Sequence, residues 1–163
     1  MADLVIRLAV SEADWQHVRA IRQRVFVEEQ ACAPEDEWDA YDVPDARGQT
    51  VHHLLGTVDG TPAAAARWRP IRQREGGSDI GLATAKLERF AVLPAFRGRG
   101  FGRQMIQHAM AEAQAAGCER LVLHAQAYLV DLYRQLGFET VGEPFDEAGI
   151  EHVKMTWGAG LEG

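Results

Sequence analysis

Apolar residues recur along the chain with two different periods, and these periods predict alternating strands and helices. Residues 4–10 are a short run rich in β-branched side chains and predict a first strand. Ser11 and Asp14 then have the spacing of a capping pair, which begins a helix predicted over residues 12–30. The apolar stripe of that helix consists of Trp15, Val18, Ile21, Val25 and Phe26. The following stretch, from Cys32 to Thr50, is rich in acidic residues and proline and predicts a loop or a broken helix.

The second part of the chain continues the alternation. Residues 51–58 and 61–69 flank Asp59-Gly60, a pair that predicts a β-hairpin with a type I′ turn. After a glycine break at Gly76-Gly77, the remaining predicted elements are a strand over 82–93, a helix over 101–116, a strand over 120–125, a helix over 128–136, strands over 138–142 and 150–157, and a tail over 158–163.

The order of these elements predicts one α/β domain. A β-α-β unit over residues 84–125 requires two parallel strands, and the hairpins on either side of it make the sheet mixed. The length of 163 residues also fits a single domain over residues 1–163, with its core in about 3–157.

Charge and composition narrow the class of function. The net charge is −7, from 17 Lys and Arg against 24 Asp and Glu, which disfavours a nucleic-acid partner. No apolar run approaches the roughly 20 residues of a membrane span, and Asp3 and Arg7 interrupt any secretory signal. Cys32 and Cys118 form no CxxC pair, so we expect neither a disulfide framework nor a metal site. A cytoplasmic protein is expected.

The glycine-rich stretch from Arg97 to Gly102 carries the most chemical information. Its glycines lie between a predicted strand and a predicted helix, where free backbone N–H groups and the helix dipole attract an anion. Arg97, Arg99 and Arg103 add positive charge. A P-loop is excluded because no Lys follows the glycines, and their GxGxG spacing differs from the GxGxxG of dinucleotide folds. The alternative is a glycine-rich surface turn.

Two stretches together resemble the GNAT superfamily of N-acetyltransferases. The pattern Arg-x-x-Gly-x-Gly over residues 97–102 resembles motif A of that family, and residues 132–138, LYRQLGF, resemble its closing motif. The resemblance extends over residues 4–157. A closer similarity to the ElaA-like and YjcF-like branch rests on residues 24–30 with Cys32, 37–42, 52–54, 124–127 and 149–152.

The resemblance implies a GNAT fold, with a mixed central sheet, a splayed parallel strand pair and flanking helices. It implies acetyl-CoA as co-substrate and a small-molecule or peptide amine as acceptor, joined by direct attack in a ternary complex. Pantetheine would pair with the backbone of Phe90, Ala91 and Val92. The pyrophosphate would contact Gly98, Arg99, Gly100, Phe101, Gly102 and Arg103, with Arg97 beside it. Gln126 stands where many relatives have Asn, and a cofactor contact is expected there. A non-catalytic acyl-CoA-binding or sensing module is the alternative, and a homodimer is left open.

Two residues are candidates for the chemistry itself. By resemblance, Tyr133 protonates the departing thiolate, although a tyrosine that only packs its ring is the alternative. Glu88 interrupts an apolar strand on the predicted face of Phe90, where desolvation would raise its pKa and suit it to act as a base. A salt bridge is the alternative role for Glu88. His124 and His53 are further candidates for the base, and His52 and His53 must point to opposite faces of their strand.

The acidic stretch has two interpretations. It is either a wall of the acceptor pocket that attracts a cationic amine or an ordinary solvated face, and we favour the solvated face. Its members are Glu28, Glu29, Glu35, Asp36, Glu37, Asp39, Asp42 and Asp45. We expect a similarly plain surface role for the arginines at 67, 69, 72 and 74.

Overall fold

A mixed seven-stranded sheet organises the protein. The computed structural model describes residues 2–43, 50–71, 74–75, 78–79 and 83–158, with 74–75 and 78–79 as backbone. The strands of the main sheet are β1 (Leu4–Leu8), β2 (His52–Val58), β3 (Thr61–Ile71), β6 (Thr84–Val92), β7 (Arg120–Gln126), β8 (Glu139–Glu147) and β9 (Ile150–Gly158). Their order is β1-β2-β3-β6-β7-β9-β8, and β4 (Arg74–Glu75) and β5 (Ser78–Asp79) form a separate pair. The Gly76-Gly77 break, residues 44–49 of the acidic stretch and residues 159–163 of the predicted tail lie outside the described residues.

Helices cover both faces of the sheet. They are α1 (Glu12–Arg22), α2 (Pro34–Glu37), α3 (Phe101–Ala115) and α4 (Val130–Gln135). α1 packs on one face over a core that includes Trp15, Val18 and Leu55. α3 packs on the other face over a larger core that includes Met105 and Leu121. Among the described residues, no helix is both long and apolar enough to cross a membrane.

The first helix is shorter than the predicted 12–30. Ser11 caps it as expected, because its hydroxyl accepts from the N–H of Asp14 at 3.1 Å. After Arg22 the backbone widens into a π-helical segment, Gln23–Glu29, in which the N–H of Gln30 donates to the carbonyl of Val25 at 3.0 Å. The apolar stripe is compatible with either winding, so its spacing did not reveal the change. π-Helical turns are rare and occur frequently at functional sites.

The predicted hairpin is confirmed. β2 and β3 pair antiparallel, and Asp59 and Gly60 both have positive φ, 51° and 79°, as a type I′ turn requires. At the other end of the sheet, β8 extends to Glu147, so the predicted end at residue 142 is wrong. Gly142 and Pro144 are typical of a strand end. They are tolerated here because β8 is an edge strand and its register is irregular between Val141 and Phe145.

The two central strands separate, as the resemblance implied. Among the described strands β6 and β7 form the parallel pair, and their register runs only from Thr84–Arg120 to Lys86–Val122. Beyond Lys86, β6 leaves β7. The backbone of β6 also contains a bulge, because its register against β3 shifts between Ala65 and Arg67 and Arg89 has a φ of 59°. The opening between these strands is where the candidate site lies.

Candidate active site

Two cavities meet at the opening between β6 and β7. One, of about 550 Å³, is lined by the glycine-rich stretch and is called the glycine cavity here. The other, of about 360 Å³, has eight charged side chains and two histidines in its lining and is called the polar cavity. The residues that line both are Gln30, Phe90, Tyr128, Leu129 and Tyr133. A ligand in each cavity would therefore meet the other near Phe90 and Tyr133.

The start of α3 forms one wall of the glycine cavity. Gly98 and Gly100 have φ values of 80° and 78°, in the left-handed region where glycine is favoured, and Gly100 is the N-cap of α3. A Cβ atom at either position would meet nothing within 4 Å, so open space lies in front of the backbone. The helix begins there with free N–H groups and the positive end of its dipole. These features fit an anionic group that approaches the backbone closely.

The three arginines near this helix start have different positions. Arg97 lines the glycine cavity, donates to the carbonyl of Val92 at 2.9 Å and forms a two-pronged ion pair with Glu29. Arg99 lies 5.8 Å from the ring of Phe96 and is exposed. Arg103 donates to the side chain of Gln135. Of the three, Arg97 is the one that borders the cavity.

The end of β6 forms a second wall of the glycine cavity. Phe90, Ala91 and Val92 line it, together with Phe101 and Gly102 from α3. The register with β7 ended at Lys86, so this backbone edge of β6 faces the opening. Peptide groups along such an edge are ready-made partners for an extended ligand that carries amides.

Tyr133 lies on α4 at the junction of the cavities. Its side chain is 4% exposed, and its ring meets the edge of Phe138 at 5.9 Å between centroids. Burial raises the pKa of the phenol, which keeps the hydroxyl protonated through the working range of pH. The ring-packing role and the acid role proposed from the sequence are therefore compatible.

Glu88 lies in the polar cavity, but in a different setting from the one expected. Because of the bulge at Arg89, Leu87 packs in the α3 core, Ala91 in the α1 core and Phe90 against the α3 core again. Glu88 therefore faces the α1 side and not the face of Phe90. The sequence prediction placed Glu88 on the wrong face, because strict alternation of side chains holds only in a strand without a bulge.

The expected rise in the pKa of Glu88 is also wrong. Arg67 and Arg69 lie 2.8 and 2.7 Å from its carboxylate, and Lys86 lies 3.8 Å away. Burial favours the neutral acid, but the arginines outweigh it, and the pKa of Glu88 is lowered. The salt bridge considered from the sequence is present. A carboxylate stabilised in this way is a weaker base.

A buried ion-pair network holds the acidic stretch against the sheet. Arg67 is fully buried and binds Asp39 with both terminal nitrogens, at 2.8 and 2.9 Å, and Asp42 at 3.0 Å. Arg22, also buried, binds Glu37 and Asp42, each at 2.6 Å. The favoured interpretation of a solvated face is therefore wrong for these three carboxylates. The surface role expected of Arg67 and Arg69 is wrong as well, since Arg69 binds Glu88 at 2.7 Å, and Arg72 lies outside the described residues. Asp36, Glu37 and Asp39 form part of the wall of the polar cavity.

The histidines divide between the core and the polar cavity. His52 stacks on Trp68 at 4.2 Å and His53 meets Trp15 at 4.8 Å, so they face opposite sides of β2 as predicted. Burial lowers the pKa of His53 to about 4, which makes it a neutral core residue. His124 lines the polar cavity, with Nδ1 2.9 Å from Oε1 of Glu147. Across the described residues, no group of His, Cys, Asp and Glu side chains is arranged to hold a metal ion.

Gln126 lies in the polar cavity and outside the lining of the glycine cavity. Its amide donates to the side chain of Gln30 at 3.2 Å, which joins the end of β7 to the residue that follows the π-helical segment. The cofactor contact expected for Gln126 stays a prediction.

Comparisons with known proteins agree with this geometry. Residues 49–159 match the family model of the acetyltransferase (GNAT) domain, which covers more than half of the chain. The chain belongs to the GNAT acetyltransferase family. The resemblance stated from residues 97–102 and 132–138 is thereby confirmed, and so are the mixed sheet and the assignment to the acyltransferases.

Several relatives are similar to this GNAT chain over nearly its whole length. Escherichia coli ElaA is 26% identical, with a TM-score of 0.76, over 96% of this chain and 99% of that protein. An acyl-CoA N-acyltransferase from Pseudomonas aeruginosa is 28% identical, with the same TM-score and the same coverage. YyaT of Bacillus subtilis (strain 168) is 30% identical over 151 residues, 93% of each protein.

Sequence reasoning did not identify Glu147, which lines the GNAT site, or Arg67, which binds Asp39 and Glu88 behind its wall. Arg67 interrupts the apolar run Ala63–Trp68, and this was the same signal that singled out Glu88. Glu147 gave no such signal, because it lies five residues beyond the predicted end of its strand. Its position beside His124 depends on the pairing of β8 with β9 and of β9 with β7.

Proposed function

We propose that this GNAT protein transfers the acetyl group of acetyl-CoA to a primary amine, by direct attack in a ternary complex. The observation that carries the proposal is the meeting of two chemically different cavities at Phe90 and Tyr133. One has the backbone and dipole features of an anion site, and the other is polar and charged. A transferase that joins two substrates needs such an arrangement, because the reacting groups must be held in contact.

The glycine cavity is proposed as the site of acetyl-CoA. The pyrophosphate would bind the N–H groups at the start of α3, where Gly98 and Gly100 allow a close approach. Arg97 borders the same cavity and would add a charged contact. The amides of pantetheine would pair with the edge of β6 at Phe90, Ala91 and Val92. Acyl-CoA chemistry is also named for the similar Pseudomonas aeruginosa protein.

The polar cavity is proposed as the site of the acceptor. Carboxylates outnumber cationic groups in its wall, with Asp36, Glu37, Asp39, Glu88 and Glu147 beside Arg69, Lys86 and Arg89. Glu37, Asp39 and Glu88 are already paired with the buried Arg22 and Arg67, so the exposed Asp36 and Glu147 are the carboxylates that attract a protonated amine. The three cationic groups add contacts for polar or anionic parts of the same molecule. We propose a small-molecule or peptide amine as the acceptor.

Tyr133 is proposed as the acid that protonates the CoA sulfur. Its raised pKa keeps the proton on the phenol until the C–S bond breaks. The same burial would raise the proton affinity of a thiolate formed beside it, so donation is favoured at that moment and not before. Glu88 was the leading candidate for the base from the sequence, and its pairing with Arg67 and Arg69 argues against that role.

A panel of amines with acetyl-CoA tests the proposal against the non-catalytic alternative. The thiol released is measured with and without each amine, and the acetylated product is identified by mass. The proposed function predicts thiol release that depends on an amine and matches product formation one to one. Tight binding of acetyl-CoA with no transfer to any amine would instead support an acyl-CoA-binding module.

A further inference from the structure

The polar cavity contains a histidine that is oriented by a carboxylate. Nδ1 of His124 lies 2.9 Å from Oε1 of Glu147, and the two residues come from different strands, β7 and β8. Both line the cavity, with side chains 27% and 44% exposed. An ionised carboxylate only accepts hydrogen bonds, so Nδ1 of His124 must carry the proton. The other ring nitrogen, Nε2, then has a free lone pair when the ring is neutral.

A second histidine completes the surroundings of Glu147. Nδ1 of His152 lies 2.7 Å from the carbonyl of Ile150, so it also carries a proton, and its Nε2 lies 3.6 Å from Oε2 of Glu147. The hydrogen bond from His124, together with nearby positive charge, lowers the pKa of Glu147. Glu147 therefore stays ionised and able to accept from His124 near neutral pH.

We propose, on the basis of the proposed acetyl transfer, that His124 is the base that removes a proton from the acceptor amine and that Glu147 is its positioning residue. In many active sites a second side chain orients the base, and here the carboxylate of Glu147 holds the imidazole of His124 in the tautomer with Nε2 free. The two alternative bases, His53 and Glu88, are less suited to this role. His53 is buried against Trp15 outside the cavity lining, and Glu88 is paired with two arginines.

The proton balance of this step is complete. Nε2 of His124 takes one proton from the ammonium, and the resulting imidazolium is stabilised by the carboxylate of Glu147. The amine nitrogen forms a C–N bond with the acetyl carbon as the C–S bond breaks. Tyr133 gives its proton to the sulfur as the C–S bond breaks, and the second proton that the nitrogen loses restores the phenol of Tyr133. Ammonium and acetyl-CoA thus give amide, CoA thiol and one proton, which His124 returns to solvent.

Several charged groups surround His124. Glu147 faces it from β8, His152 and the directly opposite Lys154 come from β9, and Lys86 and Glu88 lie along the cavity wall on β6. Of these, Glu147 is the group in hydrogen-bond contact with the ring. Its replacement is therefore the most direct change to the surroundings of the ring.

The pH dependence of kcat for four variants tests the assignment, with one good acceptor amine. His124→Asn should lower kcat by about 10²–10⁴-fold. It should also remove the acidic limb of the profile, which is the fall in kcat at low pH. Glu147→Gln keeps an acceptor but loses the charge, so the limb should move to lower pH with little change in KM. Glu147→Ala loses both the hydrogen-bond acceptor and the negative charge, so it should lower kcat further. His108→Asn is the matched control, because His108 forms a similar pair with Glu112, at 3.1 Å, and neither residue lines a cavity.

A measurement on the resting protein makes the test independent of turnover. Nitrogen chemical shifts of the imidazole should show Nδ1 of His124 protonated and Nε2 free above neutral pH, in the wild type and in Glu147→Gln, but not in Glu147→Ala. Protonation at Nε2 in the wild type would overturn the proposal. So would a wild-type profile in a folded His124→Asn protein, or loss of the limb in Glu88→Gln alone. Either of these two results would count against His124 as the base and would leave the proposed acetyl transfer standing. A wild-type protein that acetylates no amine would overturn both the proposed function and the assignment of the base.

Discussion

Arg97 and Glu29 form a two-pronged ion pair, with N–O distances of 2.7 and 2.5 Å, and both side chains line the glycine cavity. The hydrogen bonds from Arg97 lower the pKa of Glu29, so its carboxylate is ionised near neutral pH. Glu29 ends the π-helical segment, and Gln30, the next residue, lines both cavities. The arginine that borders the proposed pyrophosphate site is thus occupied by an internal anion.

This pair predicts competition between Glu29 and the cofactor. Glu29→Gln removes a negative charge from the cavity and frees Arg97, so the affinity for acetyl-CoA should rise by about twofold to fivefold. Isothermal calorimetry at constant ionic strength measures the change. Glu28→Gln, on the exposed neighbour, is the control and should leave the affinity unchanged. An affinity that falls in Glu29→Gln would show that Glu29 supports the binding of the cofactor.

A pair of glycine variants tests the close approach of the pyrophosphate. Gly100 and Gly117 flank the two ends of α3, both have left-handed φ, and an added Cβ meets nothing within 4 Å at either. Valine at both positions therefore introduces similar backbone strain. Gly100→Val should abolish binding of acetyl-CoA, whereas Gly117→Val should lower only the melting temperature. Equal affinities in the two folded variants would contradict a pyrophosphate site at the start of α3.

The buried network predicts a large effect at Arg67. Arg67→Met leaves Asp39, Asp42 and Glu88 without their shared cation, and loss of one partner of a buried ion pair costs about 3–5 kcal/mol. Arg7→Met is the control, because Arg7 also binds a carboxylate, Asp14, through two nitrogens, but at the surface. Urea unfolding of both variants gives the comparison. Similar losses in the free energy of unfolding for the two variants would contradict the prediction, because the buried ion pairs of Arg67 would then contribute no more than the exposed pair of Arg7.

The sequence predicted the elements of the fold better than their irregularities. Hydrophobic periodicity located the hairpin at Asp59-Gly60, the β-α-β unit and the helix that starts after Gly100, because each depends on neighbours along the chain. It did not reveal the π-helical segment or the bulge at Arg89, because both add a residue to a turn or a strand without changing which residues are apolar. That bulge reversed the predicted face of Glu88.

The same limit applies to the site. The glycine stretch and Tyr133 belong to local motifs, so a resemblance was enough to single them out. The network of Arg22, Arg67, Glu37, Asp39 and Asp42 joins residues that are up to 28 positions apart. The His124–Glu147 pair spans 23 positions and three strands. Charge pairing over such separations depends on the sheet order and is not encoded in spacing along the chain.

The buried His53 predicts a dependence of stability on pH. Its pKa is about 4 in the folded protein and near the ordinary 6.5 in the unfolded chain, so the unfolded state binds the proton more readily between these values. The free energy of unfolding should therefore be fully retained above pH 6.5 and fall by about 3 kcal/mol as the pH decreases to 4. His53→Phe should remove this part of the slope, whereas the exposed His17→Gln should not. An unchanged slope in His53→Phe would assign the pH dependence to other groups.

The rate of acetyl transfer by Tyr133→Phe tests the central claim most directly, because Tyr133 lines both cavities where the two substrates are proposed to meet. Tyr128→Phe is the matched control, since Tyr128 also lines both cavities but its side chain is 73% exposed. We predict that Tyr133→Phe lowers kcat by about 10²–10⁴-fold, with the affinity for acetyl-CoA and the melting temperature nearly unchanged. Tyr128→Phe should keep wild-type turnover. Wild-type kcat in Tyr133→Phe would contradict proton donation at the junction of the cavities.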